Sequence, residues 1–399
     1  MRRVKVLIYG YVLSPRVQNI ISTLSNNGYL VEAIRWNPLG RTKDVKSVNG
    51  VEIIDIGLKA PLGGLKLMFY LPLLYFRILK LMKGQSFEIL HITHIILLPL
   101  ALFIKIWKKV KVVYDDYDFY SIKCFASLTG VFKPLKPLIK YAQRVMIALV
   151  DLVLVIDSAN DFLLKEHRKI NKNVVPILNV PPLLPPSSTS VLLDLKRSLK
   201  GKNQNAKIVI YVGILHRRNG LLQTLEAMKI VWQDMKNVLL VLVGVIAPSF
   251  REDLARFMDS EEVQERIKLI ARWIPYKELA KYLEISDIGL ALYEPTPLHL
   301  LCRGNASKIY DYMSCGLSVI APNFSEIGKV VKEKKCGILV DVTNIQEIAS
   351  AILHLLKNPQ EAKKMGERGK KAFIEQYNWH IEEEKLLHAY KVISMEELS

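Results

Sequence analysis

The residues with the clearest chemical potential lie in two short stretches of the second half of the chain. The apolar run 207–212 ends in Gly213, and six residues, ILHRRN, separate it from Gly220. A glycine at a strand end lets the backbone approach a phosphate closely. A helix starting near 220 would add unpaired N–H groups and the positive end of its dipole. Arg217 and Arg218 contribute full charges of a type suited to bidentate phosphate contacts. An ordinary βα turn with solvated arginines would look the same, and the loop has neither a Walker lysine pattern nor GxGxxG. The second stretch is 303–323, RGNASKIYDYMSCGLSVIAPN. On a helix, Lys308 and Asp311 share one face, and Ile309, Tyr312 and Met313 form another. A lysine near the helix start could meet a phosphate, and a carboxylate one turn later could accept hydroxyl hydrogen bonds. A surface salt bridge is the commoner outcome of that spacing.

Two further groups fall in the first half. Asp115, Asp116 and Asp118 follow an apolar run, and paired aspartates there could hold magnesium or manganese through oxygen ligands. Acceptor binding or sugar positioning is the preferred reading. His91 and His94 close another short run, and one of them is expected to face a ligand cleft.

Positioning these groups requires a particular kind of scaffold. Short β-branched runs at 4–9, 29–34, 88–91, 111–114, 152–156 and 174–178 alternate with amphipathic stretches such as 17–27 and 135–149. The stretch PPLLPPSSTS, 181–190, interrupts this order as a linker would. Alternation resumes with runs at 207–212, 238–243, 267–270, 287–292, 317–321 and 337–340, separated by helical patterns at 220–233, 277–284, 307–314 and 345–356. The pattern predicts α/β architecture, with two doubly wound Rossmann-like domains facing a cleft. The expected boundaries are 1–185 and 186–379, with a last helix at about 380–399 that packs back on the first domain.

Composition narrows the setting. The formal charge is +18, of which residues 1–180 carry +14 and residues 181–399 only +4. A basic first half suits an anionic membrane surface or a phosphorylated substrate, and no nucleic-acid motif accompanies it. The stretch 65–83 is densely apolar, and Lys66, Arg77 and Lys80 fall on one stripe of it. It reads equally as an interfacial helix or as a buried helix with snorkelling lysines. Lysines and an arginine at 105–111 and 133–144 extend the basic surface. No apolar run reaches spanning length. Four scattered cysteines favour a reducing compartment, and the opening MRRVKVLIYGYV reads as a strand rather than a signal peptide.

The C-terminal half resembles the retaining GT-B glycosyltransferases, most closely glycosyltransferase family four. YVGILHRRNG (211–220) is similar to that family's donor-phosphate loop, and SKIYDYMSCGLSVIAPN (307–323) to its signature helix and strand. DIGLALYEP (287–295) and EIGKVVKEKKCGILVD (326–341) flank that signature in family order. SPRVQNIISTLSNNGYLVEAI, FEILHITH, VVYDDYDFY, DLVLVIDSA and PILNVPP resemble the first domain, and YNWHIEEEKLLHAY the closing helix. Four family positions differ here. Ile214 and Asn219 stand where the donor loop has an arginine and a lysine, Arg303 stands at the first of two paired glutamates, and Tyr117 stands for a histidine.

The resemblance implies transfer of a sugar from a UDP- or GDP-sugar to a saccharide acceptor with retention, and the basic apolar first half points to a lipid-linked acceptor. Gly213, Arg217, Arg218, Asn219, Gly220, Ser307, Lys308 and Asp311 would bind the donor. Arg218, Lys308, Asp311, Tyr117 and His94 would act in catalysis. No tightly bound cofactor or metal is expected, nor a nucleic-acid partner. The setting would be cytoplasmic, peripheral on the inner face of the cell membrane. A GT-B nucleotide-sugar epimerase is one alternative, and an inactive saccharide- or nucleic-acid-binding homologue is another.

Overall fold

The computed structural model describes residues 2–395 except 11–12, 39, 41–46, 62–64, 118–133, 157–161, 202, 297–298 and 301–306. Asp118, Arg303, Cys124, Cys302 and Lys133 therefore lie outside the described residues. The chain divides into two compact units, one of Met1–Asn179 with His380–Ser399, the other of Val180–Trp379.

The first unit is built on an eight-stranded sheet. Its strands are β1 (Arg3–Tyr9), β2 (Leu30–Trp36), β3 (Ser47–Val48), β4 (Val51–Ile56), β5 (Ile89–Ile92), β6 (Lys111–Asp116), β7 (Leu152–Val155) and β8 (Val174–Pro176). Their order is β3-β4-β2-β1-β5-β6-β7-β8, parallel throughout except β3 against β4. β5 and β7 are buried along their whole length, as expected for strands covered on both faces. The helices are α1 (Pro15–Asn26), α2 (Leu71–Met82), α3 (Leu98–Lys108), α4 (Lys136–Ala148) and α5 (Phe162–Arg168). α1 starts where Ser14 caps it, accepting from the Val17 N–H, with Pro15 pre-setting the first turn.

The second unit carries an all-parallel sheet of β9 (Lys207–Val212), β10 (Val238–Val243), β11 (Ile267–Ile270), β12 (Ile288–Leu290), β13 (Ser318–Pro322) and β14 (Gly337–Val340). The order is β11-β10-β9-β12-β13-β14. Its helices are α6 (Thr189–Lys200), α7 (Leu221–Asp234), α8 (Arg251–Phe257), α9 (Glu261–Arg266), α10 (Tyr276–Glu284), α11 (Ser307–Cys315), α12 (Ser325–Lys334), α13 (Ile345–Lys357) and α14 (Pro359–Gln376). α7 packs on α13 over one face, closing a core around Leu225, Met228, Leu240 and Ile352. A last helix, α15 (Trp379–Met395), contributes everything after its first residue to the first unit.

Five elements depart from the expectation. β3 and β4 form where no strand was read: β3 is a two-residue edge strand, and Glu52 and Asp55 break up the apolar residues of β4, VEIIDI, just inside it. α6 begins inside the Pro/Ser stretch, at Thr189, and α14 has so many charges that its apolar stripe is thin. The stretch 65–83 is not one helix: a 3-10 turn over Leu65–Tyr70 precedes α2, which starts beside Pro72.

Candidate functional site

In a doubly wound sheet the crevice opens at the carboxyl ends of the two strands between which the strand order reverses. In the second unit these are β9 and β12. Tyr312 of α11 marks the divergence: its hydroxyl accepts the Val212 N–H (3.1 Å) and donates to the Leu290 carbonyl (2.9 Å). The ring lies so close to β12 that a side chain at Gly289 would start 2.4 Å from it.

Lys308 sits at this point. Its residue is only 5% exposed, and its Nζ lies 4.0 Å from the Tyr211 ring centroid and 4.6 Å from that of Tyr293. Nζ donates to the Tyr211 hydroxyl at 2.8 Å. That hydroxyl in turn donates to the Asn219 carbonyl at 3.0 Å, so the lysine is linked to the loop after β9. An ammonium has three donors, and only this one finds a protein acceptor among the described residues. Gly213 is also against it: a Cβ there would stand 3.0 Å from Lys308 Cε, and its φ of +115° excludes most other residues.

Burial pulls the Lys308 pKa down to about 7, although Asp311 works the other way. Asp311 itself is pushed up to about 7 by burial, against the pull of Lys308. It keeps part of its surface open, and no hydrogen-bond donor among the described residues reaches its carboxylate. The two groups titrate as a pair near neutrality. No direct ion pair joins them among the described residues, so the surface salt bridge suggested by spacing is not what the structure contains. Among the described residues the amine keeps two donors and the carboxylate its acceptors unfilled, an arrangement chemically able to meet an anion and a hydroxylated ligand.

The other loop residues divide by role. Arg218 leaves its guanidinium exposed and unpaired among the described residues, while its carbonyl accepts the Glu294 N–H at 3.1 Å. Arg217 is held bidentately by Asp253, both bonds 2.7 Å, which directs it away from a free anion-binding role. Asn219 braces its own loop through Nδ2 to the Ile214 carbonyl at 2.9 Å. Gly220 adopts φ +75°, and a Cβ there would fall 1.7 Å from the Leu292 carbonyl oxygen. Ser307 opens α11 beside Lys308.

Sequence reasoning missed three groups. Tyr211 and Tyr293 were not singled out by type or spacing, yet they flank Lys308 on two sides; both phenols are pushed up by burial. His299 is buried against Tyr293, with ring centroids 4.9 Å apart, and its Nδ1 donates to the Glu294 carbonyl at 2.8 Å. Its pKa falls through burial, despite the favourable carbonyl, with Lys308 and Arg218 lowering it further. The only signal in sequence was the run of Tyr, Glu and His after β12.

In the first unit the order reverses between β1 and β5, and His94 follows β5. Its ring meets that of Tyr9 at a tilt, with centroids 4.3 Å apart, and its Nδ1 accepts the Ile96 N–H at 3.2 Å, capping a short 3-10 turn. His216 caps the turn before α7 in the same way, accepting the Arg218 N–H at 3.1 Å. His91, by contrast, is fully buried: Nδ1 meets the Tyr390 hydroxyl at 2.7 Å, and burial lowers its pKa to about 4. Asp115 is held by Arg16 through three contacts of 2.7–3.1 Å, and Asp116 by His167 at 2.9 Å. Both carboxylates are thus committed to buried cationic or imidazole partners, and this corrects the reading of them as acceptor-binding groups. Tyr117 follows at the end of β6, half-buried, its ring 6.0 Å from the Arg16 guanidinium carbon.

Comparison with known proteins bears on this arrangement. Residues 194–372, the stretch that holds Lys308, match the family model of glycosyl transferases group 1. A GDP-mannose-dependent alpha-(1-6)-phosphatidylinositol monomannoside mannosyltransferase of Mycolicibacterium smegmatis is 24% identical over 43% of this chain and 44% of its own. The chain spans about half the length of the curated relatives it matches. Among solved structures, a sucrose-phosphate synthase from Thermosynechococcus elongatus superposes with a TM-score of 0.70 at 17% identity, covering 98% of this chain and 99% of that one. The Anabaena protein HepE in complex with UDP-glucose gives 0.71 at 14% identity, over 97% and 99%. The fold is that of the GT-B glycosyltransferases.

Proposed function

We propose that this protein is a retaining, hexosyltransferase-type glycosyltransferase of family four, moving a sugar from a UDP- or GDP-sugar to a saccharide carried on a lipid. Its place would be the inner face of the cell membrane. The observation that carries the reading is Lys308, a buried amine with two donors unfilled among the described residues, at the strand-order reversal of the unit that matches the group 1 model. Glycosyl transfer builds negative charge on the leaving diphosphate while the sugar becomes oxocarbenium-like. A cation fixed in place before reaction stabilises that charge without reorganising. Lys308 and Arg218 supply it, the glycines at 213 and 220 let the backbone close on the phosphates, and Asp311 accepts from donor hydroxyls. His94 and Tyr117 serve the acceptor side. HepE's bound UDP-glucose supports the donor class, and the mycobacterial relative's lipid acceptor supports the acceptor class.

One observation favours a second reading, an inactive sugar-binding homologue. Ile214 is exposed where the resembled family has a cation, and Asn219 is tied into its own loop.

The test is titration with UDP-glucose and GDP-mannose. Lys308→Ala removes a charge-assisted bond of about 1.5–3 kcal/mol, so affinity should fall roughly ten- to hundredfold. Asp311→Asn should weaken binding too. Unchanged affinity in both variants would sink the site, and tight binding with no turnover on any acceptor would favour the inactive reading.

A further inference from the structure

Three helices of the first unit form one laced surface. Lys105 of α3 donates to the Leu149 carbonyl at the end of α4 (2.7 Å), and Lys108 of α3 donates to the Gln85 carbonyl beyond α2 (3.1 Å). Tyr75 of α2 donates to the Ile96 carbonyl just before α3. All three helices lie in rightward crossovers of a parallel sheet, from β4 to β5, β5 to β6 and β6 to β7. Such crossovers are right-handed almost without exception, which sets the helices side by side on the same face.

Their outer sides are apolar in a way no core requires. Phe69, in the turn before α2, is 83% exposed and Phe76 63%; Ile106 on α3 is 81% exposed; Leu138 and Tyr141 on α4 are 64% and 68% exposed. Inward residues of the same helices, Leu74 and Ile78 of α2, Ile104 of α3 and Ile147 of α4, are buried, so each helix has both an anchored and an exposed apolar side. Contiguous patches of this kind on a folded surface mark a binding partner.

Charge identifies the partner. The segments 65–84, 94–110 and 134–150 contain ten lysines and arginines and no acidic residue. Lys66, Lys80 and Lys83 are exposed around α2, as are Lys109 at the end of α3 and Lys140 on α4. A second copy of the chain would meet this surface with the same cations, a repulsive match. Nucleic acid would satisfy the cations but leave the aromatic and aliphatic tips in water. A bilayer with anionic headgroups satisfies both, phosphates for the ammonium groups and the acyl boundary for the tips.

We infer that α2, α3 and α4 with the turn at 65–70 form a single docking face for an anionic lipid bilayer. This rests on the reading of a membrane-side transferase and assigns its membrane contact to three helices, where sequence pointed chiefly to one.

The experiment uses the full chain and sedimentation with vesicles of phosphatidylcholine alone or mixed with phosphatidylserine, without donor or acceptor. Binding should need the anionic lipid and fall with salt. Lys80→Gln and Lys140→Gln should each reduce the partition coefficient about fivefold, since a basic side chain at such a surface contributes roughly that factor. Phe76→Ser, Ile106→Ser and Leu138→Ser should each reduce it as well, with unchanged melting temperatures because these side chains are exposed. Equal partition to neutral vesicles overturns the proposal, as does sensitivity confined to one helix. So does dimerisation or oligonucleotide binding that accounts for the salt effect while the serine variants change nothing. Nucleotide-sugar affinity, measured in parallel, is expected to be intact in every variant. Its loss in wild type would fail the transferase reading separately from the docking face.

Discussion

A lysine placed between two phenol rings loses most of its hydration, and the rings return only part of what water supplied. Lys308 is therefore poised to bind an anion and to take up a proton in doing so. Its free-state pKa lies at about 7, lowered by burial, and a diphosphate would raise it. The sign follows directly. Below about pH 7 the amine already carries its proton, and affinity should be level. Above pH 7 each binding event must take a proton from solution, so affinity should fall with rising pH by up to tenfold per unit. Asp311, also at about 7, adds its own negative charge over the same range and steepens the fall. Isothermal titration with UDP between pH 6 and 9 reads this. Lys308→Ala should bind weakly with a much flatter profile, whereas an equally steep profile in that variant would remove the lysine from the site.

At the scale of elements, the site depends on how close the loop after β9 comes to the segment after β12. Gly220 sets that approach, and Gly28 offers a control. Both have positive φ, +75° and +82°, but a Cβ at Gly28 meets nothing within 4 Å, while one at Gly220 would meet the Leu292 carbonyl oxygen at 1.7 Å. Gly28→Ala should cost about 1 kcal/mol of stability from backbone strain alone and leave UDP binding unchanged. Gly220→Ala must displace the loop as well, and should lower UDP affinity at least tenfold. Equal effects of the two changes on binding would show that the loop's position is not set by this contact.

The same elements show what sequence could and could not convey. β9 and β10 are legible to the residue because buried parallel strands are near-continuous apolar runs, and the edge strands β11 and β14 are legible as short apolar runs between helical patterns. β4 was not, since Glu52 and Asp55 interrupt its apolar residues and its outer neighbour β3 is only two residues long. The facing pair Lys308 and Asp311 could be read from helical spacing. The phenols of Tyr211 and Tyr293 could not, because an aromatic in a strand has the same sequence signature whether it packs a core or cradles a cation. His91 and Asp115 looked functional by type and proved to be partners of Tyr390 and Arg16, contacts spanning 299 and 99 residues that no local pattern records.

On the scale of the whole molecule, the two units should respond to different perturbations. The first unit is completed by the last twenty residues of the chain. Glu382, fully buried, accepts the Leu178 N–H at 3.0 Å, Tyr390 meets His91, and the Ser394 carbonyl accepts from Arg2 at 3.2 Å. A chain ending at Trp379 would leave the Leu178 N–H and the His91 ring without these partners, each a loss of about 1–3 kcal/mol for a buried polar group. It would also uncover the apolar surface that Leu386, Ala389 and Ile393 now bury. Hydrogen exchange resolves such effects segment by segment. The truncated chain should lose protection in β1, β5 and β8, and keep it in β9, β10 and β12, which have a core of their own. Adding UDP to the full chain should do the converse, slowing exchange in the loop 213–220 and in α11 while leaving β5 unaltered, since a ligand stabilises the segments that bind it. Retained protection of β5 after truncation would mean that α15 is not needed to complete the first unit.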